Sequence, residues 1–190
     1  EAYLLAADAI DKLDSPAWYY LNEPAEFAAL AGRYHDAVRY YELAFENLRD
    51  PLRPDVNSLN ALYALDLAYA LHKQGDTARA DVIFGRLLDL VEDERRLGYD
   101  GRRYSTGKII DVCVYSTLGQ TDDALAALRE AVDEGWRGLY DTWTGNIPPM
   151  LAALDGIPEY EAMLVEINAD LAVQRERISS ADIRTESTAP

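Results

Sequence analysis

The sequence predicts an all-α chain, an α-solenoid superhelix of antiparallel helical hairpins closed by a C-terminal capping helix, and three observations predict it. The first is a spacing that recurs around Gly32, Gly75 and Gly119. Five residues after each glycine comes an alanine (Ala37, Ala80, Ala124), nine after a bulky residue (Tyr41, Phe84, Leu128), and twelve after Ala44, Leu87 and Ala131. The second is the mirror of this pattern upstream: Ala25, Ala68 and Val112 lie seven residues before the glycines, and Ala28, Leu71 and Tyr115 four before. Offsets of three, four and seven return a side chain to one helix face. Each glycine is therefore read as a turn between two amphipathic helices that cross at small residues. The third is composition: 190 residues with 49% hydrophobic content can bury a sizeable core and exclude a disordered chain.

The elements follow in order. Residues 2–13 place Tyr3, Ala6, Ile10 and Leu13 at helical spacing with no capping residue ahead of them, and Asp14-Ser15-Pro16 stops the run. This segment reads as the second helix of a hairpin whose first helix is absent, so the chain reads as a piece of a longer protein. The first full hairpin is expected over about 17–50, with Asn22 as N-cap, Pro24 in the first turn, HDAVRYYELAFENL as the return helix and Asp50-Pro51 as its end. The second is expected over about 58–94, capped by Ser58 or Asn60. After the glycine-rich connector LGYDGRRYSTG, the third is expected over about 106–134. A cap over 147–178 follows. Its last helix starts near Pro158 and carries Tyr160, Met163, Leu164, Ile167, Leu171 and Ile178 on one stripe. Residues 1–178 form one domain in this reading, and 179–190, poor in apolar side chains, a mobile tail.

With these residues in place, ALDLAYALHKQGDTARADVIFGRLL and, next to it in specificity, LGQTDDALAALREAVDEGW make the chain resemble tetratricopeptide-repeat proteins over roughly residues 2–178. It departs from that family in two ways. The glycines are 43 and then 44 residues apart, where an ordinary repeat has about 34, and Pro24 stands where a leucine is usual. More narrowly, RLGYDGRRYSTGKIIDVCVYSTLGQTDDALAALREAVDEGWR with the Trp/Tyr-rich segment behind it is similar to the C-terminal repeat region of bacterial winged-helix transcriptional regulators and adenylate cyclase-type signalling proteins. That resemblance implies an interaction or sensory segment, with the DNA-binding or catalytic part outside this chain, often across one membrane helix. The location, cytoplasmic or periplasmic, is left open by it.

Charge narrows the partners. Acidic residues outnumber basic ones 34 to 18, for a net −16, which repels a nucleic-acid backbone. No apolar run approaches the roughly 18–20 residues of a membrane span. The single cysteine, Cys113, lies among Ile109, Ile110, Val112 and Val114 and is expected in the core. No G-x-S-x-G or H-E-x-x-H pattern and no Cys-His pairing with an accessible thiol is present, so no catalytic residue, cofactor or enzyme activity is expected. His35 and His72 lack metal-ligand spacing, so no metal site is expected either. Gly101-Arg-Arg-Tyr-Ser-Thr-Gly107-Lys108 departs from a phosphate loop, with five residues between the glycines and Ile109 after the lysine.

Two candidate sites remain. In repeats of this kind the first helix of each hairpin lines a concave groove. The groove positions are Tyr19, Asn22 and Glu26 in the first hairpin; Leu62, Asp66, Tyr69, His72 and Lys73 in the second; and Ile109, Cys113 and Ser116 in the third. Aromatic residues among scattered polar ones suit a peptide, while Tyr40, Tyr41, Tyr63 and Tyr115 are equally suited to packing between hairpins. Trp136, Tyr140 and Trp143 read as anchors for the terminal helix. The other candidate is an anion site at Arg95, Arg96, Arg102, Arg103 and Lys108, against which stands pairing with Glu92, Asp93 and Glu94 on neighbouring turns. The leading functional reading is a non-catalytic scaffold for a protein or peptide partner. Its rivals are a small-molecule or pH-sensing domain of a membrane-anchored transcriptional regulator, and a structural module that makes a homo-oligomer.

Overall fold

A computed structural model describes residues 18–98, 109–137 and 147–186, with side chains for 21–98, 109–137 and 148–178. The regular elements among the described residues are helices, with no strand: α1 (Trp18–Leu30), α2 (Tyr34–Ala44), α3 (Ala61–Gln74), α4 (Thr77–Arg96), α5 (Ile110–Thr117), α6 (Thr121–Asp133), α7 (Ile147–Leu151) and α8 (Pro158–Glu186). Short 3-10 turns follow α2 at Glu46–Leu48 and α7 at Ala152–Leu154.

The three glycines end α1, α3 and α5 in the same way. Gly32, Gly75 and Gly119 take φ of 73°, 96° and 73°, the left-handed region that a side chain disfavours. At each, the glycine N–H donates to the carbonyl three residues back (Ala29, His72, Ser116), and the next N–H donates to the carbonyl five residues back. Those second acceptors are Ala28, Leu71 and Tyr115, at 2.8, 2.9 and 2.9 Å. This paired closure satisfies carbonyls that a helix end leaves orphaned. The same closure at Gly135 and Trp136 ends α6.

The repeated apolar positions all point inward, apart from Tyr115 and Ala44, which are partly buried. Tyr41, Phe84 and Leu128 are at most 1% exposed, each side chain contributing roughly 1.5–3 kcal/mol by burial. The alanines at Ala25, Ala37, Ala68, Ala80 and Ala124 are fully enclosed, which lets the paired helices approach closely. Helices pack in chain order: α1 on α2, α2 on α3, α3 on α4, α4 on α5, α5 on α6 and α6 on α8, with α5 also meeting α3 and α7.

Several expected boundaries shift. Asn22 is not a cap: α1 runs from Trp18, the first described residue, and Pro24 is its seventh residue. Pro24 leaves the Tyr20 carbonyl without its usual donor, a cost set against the burial of the proline ring. The return helix α2 ends at Ala44 rather than near Asp50, and the Arg49 side chain turns back to donate to the Glu42 carbonyl in its last turn. Leu48 in the following 3-10 turn is fully buried. Of the two proposed caps for α3, Asn60 holds the position, yet its side chain serves the connector instead. Its amide donates to the Asp55 carbonyl (2.7 Å), and its oxygen accepts the Asn57 N–H (2.8 Å). The third hairpin's first helix is described from Ile110, the expected start near 106 lying outside the described residues, and α4 continues to Arg96.

The closing helix α8 starts with Pro158 in its first turn, where a missing N–H costs nothing. Tyr160, Met163 and Ile167 are buried, Leu164 and Leu171 pack at the margin, and Arg129–Glu166 (2.7 Å) and Arg137–Asp170 (2.6 Å) pin the helix from outside. The apolar stripe stops there, because Ile178 is 63% exposed. The helix itself continues to Glu186, into the stretch expected to be a tail.

Candidate functional site

The groove positions divide according to what covers them. In the third hairpin they are closed. Ile109, Cys113 and Ser116 are at most 2% exposed, and the Ser116 hydroxyl donates to the Met150 carbonyl of α7 at 2.8 Å. Met150, Leu151 and Leu154 are buried against α5, so the segment after the aromatic stretch occupies the face on which a ligand was expected. Burial, then the charges of Asp66 and Asp111, pushes the Cys113 thiol far above its ordinary range, consistent with a core cysteine. Trp136 is likewise core, at 4% exposure; Tyr140 and Trp143 lie outside the described residues.

Tyr69 is also not a groove wall. It is 4% exposed, packs edge-to-face on Tyr34 of α2 with centroids 6.2 Å apart, and carries the Lys73 ammonium 5.4 Å from its ring centre. Burial, aided by Tyr34, pushes its phenol up to about 12. The pair belongs to the interface between the first and second hairpins. His72 is half-buried with its ring 6.3 Å from Phe84, and its Nδ1 is enclosed without a hydrogen-bond partner. Among the described residues no cluster of metal-binding side chains occurs.

The remaining groove positions lie on α1 and α3. Asn22, Glu26, Leu62 and Asp66 are all half-buried there, and the Asn22 Oδ1 is enclosed without a partner. Tyr19 belongs to α1, its side chain outside those described. Glu26 and Asp66 converge on Tyr63: partial burial first, then the Asp66 and Glu26 charges, push the Tyr63 phenol above its ordinary value. Tyr63 stacks on Phe45 with centroids 4.4 Å apart and planes 21° from parallel. Reasoning from sequence missed this stack. Phe45 lies just past α2, and Tyr63 sits one position from the groove register, so only the bend of the chain after Ala44 brings the rings together.

Of the proposed anion site, Arg102, Arg103 and Lys108 lie outside the described residues. The other two arginines are engaged by carboxylates. Arg96 pairs with Asp93 one turn back (2.7 Å), as local pairing predicts. Arg95 instead reaches across the stack to Asp111 of α5 (2.7 Å) and Glu130 of α6 (3.1 Å), a link between hairpins that the neighbouring Glu92 and Glu94 had obscured.

No helix among the described residues is long and apolar enough to cross a membrane. Comparison with protein-family models, with curated proteins and with solved structures gives no match for this chain.

Proposed function

We propose that the chain is a non-catalytic scaffold of tetratricopeptide-like hairpins that takes a protein or peptide partner on the joint face of α1 and α3. The observation that carries this reading is unequal coverage. The inner face of α5 is closed by α7, whereas the same face of α1 and α3 keeps half-exposed polar side chains beside an aromatic stack. Ring faces with carboxylates at their rim suit an extended segment carrying Arg or Lys, since the rings attract a cation and the carboxylates accept a guanidinium fork. A net charge of −16 steers such a partner inward. Resemblance of the third hairpin to repeat regions of bacterial signalling proteins supports a role as the interaction or sensory segment of a larger regulator.

Titrating fluorescent peptides of equal length, Arg/Lys-rich and Glu-rich, against the protein tests the reading. The cationic peptides should bind, more weakly as salt rises. Asp66→Asn and Tyr63→Ala should each weaken binding by about tenfold, roughly 1–2 kcal/mol, with helicity unchanged. Equal binding of both peptide classes, or cationic binding untouched by either substitution, rejects the α1/α3 site.

A further inference from the structure

Asp111 is a carboxylate shut inside the stack. It lies in the first turn of α5, its side chain is 3% exposed, and it accepts the Val112 N–H at 2.9 Å and the Arg95 Nη2 at 2.7 Å. Arg95 comes from the last turn of α4, is 44% exposed, and also donates to Glu130 of α6 at 3.1 Å. Glu134, just past the end of α6, adds a third negative charge near the same guanidinium. From α3, Asp66 lies on the Cys113 side of α5. Neither α7 nor the 3-10 turn behind it, both packed on α5, carries a titratable side chain. The ends of α4, α5 and α6 thus meet on one arginine that is outnumbered by carboxylates, of which Asp111 has lost most of its water.

We propose that this cluster is an acid-released latch: with Asp111 ionised, Arg95 holds the last turn of α4 against α5 and α6, and with Asp111 protonated that turn is let go while the stack stays closed. A neutral carboxyl gives up the charge-assisted half of the bond. What remains for Arg95 is Glu130, which is half-exposed and screened by solvent, and the nearby charge of Glu134.

The latch has a signature that a merely structural ion pair lacks. Burial holds the Asp111 carboxyl above the ordinary aspartate value of 3.8, with Arg95 offsetting only part of that. The folded state therefore takes up the proton before the unfolded chain does. This stabilisation is full below 3.8 and is lost as the pH rises through the folded value. Across that window acid strengthens the fold as a whole and loosens one turn of it.

Hydrogen exchange of the Asp93–Leu97 amides, normalised to intrinsic rates, and thermal melts at about pH 7 and about pH 4 test the proposal. In the native sequence, protection of this turn should fall about tenfold on acidification. Asp111→Asn, neutral at both values, should show the lowered protection already at about pH 7, melt no earlier than the native chain there, and lose its response to acid. Arg95→Met should melt far below the native chain at about pH 7, or fail to fold, and recover on acidification, because protonation neutralises the stranded carboxylate. Unchanged native protection between the two conditions, an Asp111→Asn variant with native protection or reduced stability at neutral pH, or an Arg95→Met variant that acid does not rescue would each overturn the latch.

Discussion

Glu26, Tyr69 and Cys113 share one offset, six residues before their glycines, yet they are half-buried, 4% exposed and fully buried. A repeat pattern fixes the direction in which a side chain leaves its helix, because helical periodicity is local. It does not fix what arrives on the other side. That is why the alanines, the bulky residues, the turn glycines and the core placement of Cys113 were legible in the sequence, while the burial of Tyr69 by Tyr34 and the closure of Ser116 by α7 were not. Two substitutions follow at this scale. Ala80 has no exposed surface and belongs to α4, which packs on α3, so Ala80→Leu should cost about 1–3 kcal/mol by overpacking, read as a lower denaturation midpoint. Tyr69→Ala, which a groove position would tolerate, should instead cost about 3–5 kcal/mol by leaving a cavity between the first two hairpins. A melting curve unchanged from the native one would place Tyr69 back on an open wall.

Elements were recognised from their cores and blurred at their ends. The return helix α2 stops early because Arg49 supplies a donor to the Glu42 carbonyl, and the connector behind it is held by Asn60 rather than left to wander. Both are contacts of a polar side chain with distant backbone, which periodicity does not register. The capping helix makes a sharper case. Its described buried side chains end at Ile167, with Leu171 at the margin, although the helix runs on to Glu186. Removing residues 172–190 should therefore change stability by less than about 0.5 kcal/mol, as for other exposed positions. Removing everything from Pro158 strips Tyr160, Met163 and Ile167 from α6 and should produce early melting and aggregation. Size-exclusion chromatography and thermal denaturation of the two truncations check the contrast; similar behaviour of both would refute the assignment of the cap to residues 158–171.

At the scale of the whole molecule, three glycine-turned hairpins pack in chain order, and the third is sealed by a segment that follows it. The all-helical class and the turn positions could be read from spacing alone. The sealing could not, since α7 is five residues long, holds two prolines and lacks a repeat of its own. Sealing also bears on the proposed partner site, because it removes the α5 face from those a partner could use. Cys113 is the sole thiol in the chain and lies at the centre of the sealed face, so its modification reports directly on this arrangement. The rate at which a small thiol reagent labels Cys113 under native conditions, followed across a denaturant series, is the decisive measurement. Labelling should be slower than that of a free cysteine by about a thousandfold or more and should rise with denaturant in step with global unfolding. Labelling of the native protein at a rate close to that of free cysteine would show that the inner face of α5 is open, and the account of a sealed third hairpin would be wrong.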